Sequence, residues 1–136
     1  MATEIESFFL PAAMRQEIIA HARQESPREC CGLISGRDGA LTELYRMTNT
    51  YEGIDFYRID DMDLYRLYTD LDAKGDEIAV IYHSHPVSVA YPSSRDVEYA
   101  AWSDPVYVIC SLEDQESPVL RAFRIVDDLI TELAIN

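Results

Sequence analysis

Compact apolar runs alternate along this chain with segments whose apolar residues recur at helical spacing, and turn residues mark each change. Ile5 to Leu10 reads as a short first strand. Pro11 then opens a helix with Met14, Ile18, Ile19 and Ala22 at helical spacing, and Pro27 ends that segment. Cys30 to Ile34 is an apolar run closed by Ser35-Gly36 and Asp38-Gly39, which predicts a buried strand entering a turn, with Leu41 to Thr48 as its hairpin partner. Tyr57-Arg58-Ile59 predicts a brief extended piece. Asp60 or Asp61 caps a second helix that carries Leu64, Leu67, Tyr68 and Leu71 on one face and closes at Lys74-Gly75. Glu77 to His85 (EIAVIYHSH) has the β-branched middle of a central strand covered on both faces, and Pro86 stops it. Pro92-Ser93-Ser94 predicts a third helix start, with Val97, Tyr99, Ala100 and Ala101 packing inward and Pro105 as its end. Val106 to Leu112, Val119 to Val126 and Leu129 to Ile135 predict three more strands. The sum is an α/β fold: a mixed central sheet of six or seven strands with about three helices.

Length and composition narrow this further. A chain of 136 residues suits one domain, residues 1–136, and its 48% hydrophobic content supplies one packed core. No apolar run approaches the roughly 18–20 residues of a membrane span. The start, MATEIESFFLPAAM, lacks a basic stretch followed by an apolar one, so no signal peptide is expected. Eleven basic residues against twenty-five acidic ones leave a net charge of -14. That argues against nucleic acid as a partner, since phosphate binding runs on Lys and Arg, and against docking on an anionic membrane. Cys30 and Cys31 are adjacent and Cys110 is remote, which is not the even, spaced set of a disulfide framework. Free buried thiols in a reducing, cytoplasmic setting are expected. The acidity reads first as a solvated surface suited to solubility or high salt, and second as a face for a basic partner.

The chemistry concentrates between residues 83 and 96. Residues two apart on a strand share a face, so His83 and His85 aim both imidazoles at one point while Ser84 faces away. Their Cα atoms would lie roughly 6.5–7 Å apart on an extended chain, close enough for both rings to reach one ion. Ser93 and Asp96 are three apart on the following helix and share a face. Two imidazoles, a carboxylate and a hydroxyl can thus meet. Three protein ligands with an open fourth position are the mark of a catalytic zinc site. Each piece also has a plain structural reading. One histidine of a His-x-His pair is often a core residue, and Ser93-x-x-Asp96 after Pro92 is a capping box with Asp in place of Glu. The capping and ligand readings are compatible. His21 reads as solvated or locally bonded, Tyr99 and Trp102 as core or rim, and Cys110 as core. Cys30 and Cys31 alternate across a strand, and a Cys/His nucleophile has no support beyond the presence of both residue types.

His83-x-His85, seven residues, Ser93, two residues, Asp96 is the pattern of the JAMM metallopeptidases, the catalytic branch of the MPN domain, and the match is complete at all four positions. Glu29-Cys30-Cys31-Gly32-Leu33-Ile34-Ser35-Gly36 resembles that family's strand with its preceding glutamate. Met47-Thr48-Asn49 through Asp60, and Tyr107 to Leu112, resemble its later segments, so the likeness spans roughly residues 5 to 126. The resemblance implies one zinc ion bound by His83, His85 and Asp96. It implies Glu29 as the base that activates the zinc-bound water and then protonates the leaving amine, and Ser93 as a group that orients the water or bonds the oxyanion. It implies an (iso)peptidase acting on the C-terminal Gly-Gly tail of a small ubiquitin-like or sulfur-carrier protein, as the compact bacterial members do. A nitrogen/oxygen donor set suits zinc better than iron or cobalt. The chain lacks the long insertions of eukaryotic deubiquitinating members, so linkage-specific polyubiquitin cleavage is not expected. The alternative is a non-catalytic MPN scaffold, though inactive relatives usually lack some ligands and this chain keeps them all. A RadC-like protein would carry a helix-hairpin-helix region and a different charge, and an amidohydrolase barrel needs ~250 residues.

Overall fold

The computed structural model describes residues 6–136. In chain order they form β1 (Ser7–Phe8), α1 (Ala12–Glu25), β2 (Cys31–Arg37), β3 (Ala40–Met47), α2 (Asp61–Lys74), β4 (Glu77–His85), α3 (Ser94–Glu98), β5 (Val106–Ser111), β6 (Val119–Val126) and β7 (Leu129–Ile135). The strands make one sheet in the order β1-β7-β6-β5-β4-β2-β3. It is mixed: β4–β5 and β1–β7 are parallel, and the other neighbours are antiparallel. Two antiparallel pairs are joined by tight turns, Asp38-Gly39 between β2 and β3 and Asp127-Asp128 between β6 and β7, the latter with φ of 49° and 66°. Asp tolerates that left-handed pair better than most side chains. A parallel pair needs a crossover. Residues 86–105 supply it between β4 and β5, and α3 lies within it.

Strand alternation sorts the side chains onto two faces. On one face Val80 and Tyr82 of β4, Ile34 of β2 and Val108 and Cys110 of β5 pack with Ile18 and Ala22 of α1. On the other, Leu33, Ile81, Tyr107 and Ile125 pack with Leu64 and Leu67 of α2, Val97 of α3 and Trp102. The central β4, β2 and β5 are thus covered on both sides, which explains their near-continuous apolar sequences. The Tyr82 ring lies across Gly32, where a Cβ would come within 2.2 Å of its carbons. Its hydroxyl meets His21 Nδ1 at 2.8 Å.

The structure differs from the sequence expectations in five places. The first strand is confined to Ser7–Phe8, and Ile5 lies outside the described residues. His21 is buried, not solvated, because Tyr82 offers a partner 61 residues away. Tyr68 is 53% exposed, on the flank of the stripe formed by Leu64, Leu67 and Leu71. The third helix stops at Glu98, well before Pro105, and two residues expected to pack inward, Tyr99 at 63% exposure and Ala101, are exposed. A side-chain bond competes with helix there: the Tyr107 hydroxyl donates to the Trp102 carbonyl at 2.7 Å and ties that segment down over Tyr107. The second strand starts at Cys31 rather than Cys30.

Candidate metal centre

His83 and His85 occupy the last turns of the pleat in β4, and both are buried. The crossover leads back over that strand end and brings Asp96 in from the first turn of α3. Three donor atoms converge. His83 Nε2 and His85 Nε2 are 3.1 Å apart, and Asp96 Oδ2 lies 3.1 Å from the first and 3.0 Å from the second. Glu29, just ahead of β2, is also buried, and it places a carboxylate oxygen within 4.8 Å of both imidazoles. Asp96 therefore forms the tight triangle with the two histidines, and Glu29 stands beside it.

The side chains are fixed from behind. His85 Nδ1 donates to the Val89 carbonyl at 2.7 Å, so its Nε2 presents a lone pair to the triangle. His83 Nδ1 has no partner among the described residues. Its ring is held by stacking on Tyr57, with centroids 4.5 Å apart and planes 23° from parallel. Asp96 is set by a reciprocal capping box: its amide donates to Ser93 Oγ at 3.0 Å, and the Ser93 amide donates to Asp96 Oδ2 at 3.0 Å. The capping reading of Ser93-x-x-Asp96 is thus realised together with convergence on the histidines.

These donor atoms lie close enough together to share one cation. Donors ~2 Å from a tetrahedral ion lie ~3.3 Å from each other. The triangle, 3.0–3.1 Å on a side, fits such an ion, and so do its nitrogen/oxygen donors. The Glu29, His83, His85 grouping is likewise compatible with a metal site.

The electrostatics follow from burial and pairing. Burial pushes Asp96 up, but hydrogen bonds from His83 and His85 outweigh it and hold the carboxyl well below the usual range. Burial lowers His83. His85 is raised, because the Asp96 bond, the Val89 carbonyl and nearby carboxylates overcome its burial. Glu29 is pushed up to about 8 by burial first, with the His85 charge pulling down and Asp96 and Asp55 adding to the rise. Its Oε1 has no partner among the described residues. The thiols are inert by the same logic: burial raises Cys30 and Cys31 to about 12 and Cys110 to about 11, and all three are free.

The sequence pattern of the family described as prokaryotic homologs of the JAB domain matches residues 11–126. The chain belongs to this family. Among JAB-domain relatives it is 36% identical over 121 residues to a CysO-cysteine peptidase of Mycobacterium tuberculosis, covering 88% of this chain and 83% of that one. It is 34% identical over 109 residues to a desampylase of Haloferax volcanii, covering 75% and 78%. It is 33% identical over 102 residues to a probable TtuB-protein conjugate cleaving protease of Thermus thermophilus, covering 74% and 68%. A solution structure of a Desulfitobacterium hafniense protein superposes with a TM-score of 0.83 at 31% identity, over 94% of this chain and 90% of that one. A JAB1/MPN domain protein of Archaeoglobus fulgidus shares the fold, with a TM-score of 0.57 at 19% identity over 88% and 91%. The relatives' names are those of peptidases acting on small-protein conjugates.

Within this JAB-domain site, two residues escaped the sequence reading. Asn49 Nδ2 donates to the Glu29 carbonyl at 2.9 Å, while its Oδ1 accepts the amides of Tyr51 and Arg58. Ser84, facing away from the histidines, accepts the Cys30 amide on its Oγ at 2.8 Å. The peptide group that follows the Glu29 side chain is therefore pinned at both ends, its carbonyl by Asn49 and its amide by Ser84. Arg28 supports the same loop through the Asn49 and Tyr51 carbonyls. A serine between two histidines was a visible signal, but its partner was not.

Proposed function

We propose that this protein is a zinc-dependent (iso)peptidase that hydrolyses the amide bond at the C-terminal Gly-Gly tail of a small ubiquitin-like or sulfur-carrier protein. The observation that carries the reading is the donor triangle of His83, His85 and Asp96 with the buried, partly unpartnered Glu29 carboxyl beside it. His83, His85 and Asp96 would hold the ion. A zinc ion there supplies Lewis acidity, which acidifies water and polarises a carbonyl. Glu29 takes the proton of the attacking water and returns it to the departing nitrogen, the work of a general base turned general acid. Its raised proton affinity suits both halves of that task. Ser93 Oγ accepts from the Asp96 amide, which leaves its own O–H to donate to the developing oxyanion. Asp96 stays ionised with the Ser93 amide donating to its Oδ2, and the Val89 carbonyl keeps His85 in the tautomer whose Nε2 faces the ion.

The test offers CysO joined through its C-terminus to cysteine and reads the products by mass. Release of cysteine is expected, with loss of turnover on chelation and recovery on adding zinc. Glu29→Gln should lower kcat by about 10²–10⁴ while zinc content stays at one per chain. Undiminished turnover in Glu29→Gln would reject the mechanism.

A further inference from the structure

What the departing nitrogen belongs to is written in the groups beside the donor triangle. A group that hands a proton to the leaving amine lies on the leaving-group side of the scissile bond. Next to the donor set stand two oppositely charged side chains, Arg95 and Asp55, which face each other. Arg95 precedes Asp96 on α3. In a chain of eleven basic and twenty-five acidic residues, a guanidinium at this place stands out.

Arg95 is held without being used up. Its guanidinium carbon lies 4.5 Å from the Phe56 ring centroid and 5.0 Å from that of Tyr51. Nη1 donates to the Tyr51 hydroxyl at 3.2 Å and stands 4.0 Å from Asp55 Oδ2. The Tyr51 hydroxyl is its only hydrogen-bond partner among the described residues, and the side chain is 42% exposed. Aromatic neighbours orient the group while most of its five N–H donors stay free, the state of a fork ready for a carboxylate. Arg95 also borders a cavity of about 490 Å³ whose walls include Tyr57, Ile81 and Trp102. Tyr57 is the ring that stacks on His83, so this apolar space begins one ring away from the donor triangle.

We infer that Arg95 determines leaving-group specificity by pairing with the α-carboxylate of a departing amino acid. The substrate class is then a carrier whose C-terminus is amide-bonded to a single amino acid with an uncharged side chain, rather than to a lysine of another protein. This rests on the peptidase reading above. In an amino-acid conjugate the carboxylate is two bonds from the scissile nitrogen. In a lysine conjugate a methylene occupies that place, and the guanidinium gains nothing. Hydrolysis breaks the C–N bond: the water oxygen stays on the carrier as carboxylate, and both water hydrogens end on the departing ammonium, one by way of Glu29.

The experiment compares three CysO conjugates as substrates: with L-cysteine, with L-cysteinamide, and with the ε-amine of a lysine in a short peptide. The wild-type protein should favour cysteine over cysteinamide by tenfold or more in kcat/KM. Arg95→Met should bring that ratio close to one, Arg95→Lys should keep part of it, and Asp55→Asn, which removes a competing carboxylate, should increase it. A loss of fold or zinc alone would lower both rates without changing their ratio. Equal wild-type rates on cysteine and cysteinamide, an unchanged ratio in Arg95→Met, or a preference for the lysine conjugate would overturn the inference while leaving the peptidase reading intact. Cleavage of none of the three by zinc-loaded wild-type protein would reject both.

Discussion

Glu29 is a carboxyl group placed where water cannot easily keep it charged, and its folded state holds a proton up to about pH 8 against an ordinary value of 4.5. The consequence for stability has a definite sign. Below about pH 4.5 folded and unfolded chains are both protonated, and Glu29 contributes nothing to the balance. As pH rises from 4.5 to 8 the unfolded chain ionises first, so the fold loses stability. Above 8 the loss is constant. At ~1.4 kcal/mol per pH unit it reaches about 4–5 kcal/mol at most. Metal-free Glu29→Gln should therefore match the wild type near pH 4.5 and exceed it by several kcal/mol at pH 9 in urea unfolding. A difference that does not vary with pH would show that burial does not act on this group. Asn49 and Ser84 belong to the same scale. Ser84→Ala strands the buried Cys30 amide and should cost about 1–3 kcal/mol. Asn49→Ala, which also frees the Glu29 carbonyl, should cost about 3 kcal/mol. Under the proposed mechanism both should lower kcat by about tenfold or more with zinc content unchanged, because Glu29 loses its fixed backbone. Glu29 was legible only through resemblance to a known family. Asn49 and Ser84 were not, because the bonds they make to the Glu29–Cys30 peptide reach backbone 20 and 54 residues away.

At the scale of elements, the site is a product of strand order. β4 and β5 run parallel, so the chain must cross over between them, and that crossover brings Asp96 to the end of β4 where two histidines already share one face. A tight hairpin in its place would have left no room for a helix turn. The strand pair β2–β4 is registered by side chains as well as backbone: Gly32 and Tyr82 are direct partners, and the Tyr82 ring occupies the space over Gly32 on its way to His21. Gly32→Ala should displace that ring and cost about 3 kcal/mol in thermal or urea unfolding, with part of the loss recovered by adding Tyr82→Leu. A neutral Gly32→Ala would show that the ring is free to move aside. The long periodic elements, α1, β4, β6 and β7, follow from spacing alone. The shortness of α3 does not, since it is the Tyr107 hydroxyl that claims the Trp102 carbonyl.

The whole molecule carries a charge of -14, and eleven basic residues cannot pair with twenty-five acidic ones. The ion pairs that do form, such as Arg121–Glu132 and Arg46–Glu17, are at the surface, where each contributes little. Self-repulsion should dominate, so raising sodium chloride from about 20 mM to 1 M with no partner present should raise Tm by ~3–6 °C. A flat or falling Tm would mean that local pairing balances the excess. Among the described residues no helix is long and apolar enough to cross a membrane. The sequence by itself determined what depends on near neighbours: the two-residue step that puts both imidazoles on one face, the three-residue step that joins Ser93 to Asp96, and the near-continuous apolar runs of a doubly covered sheet. Only the tertiary structure decided how far Glu29 stands from the histidines, what pins its backbone and why His21 is buried. Each of those is a contact between segments distant along the chain, and spacing carries no information about partners that only folding brings together.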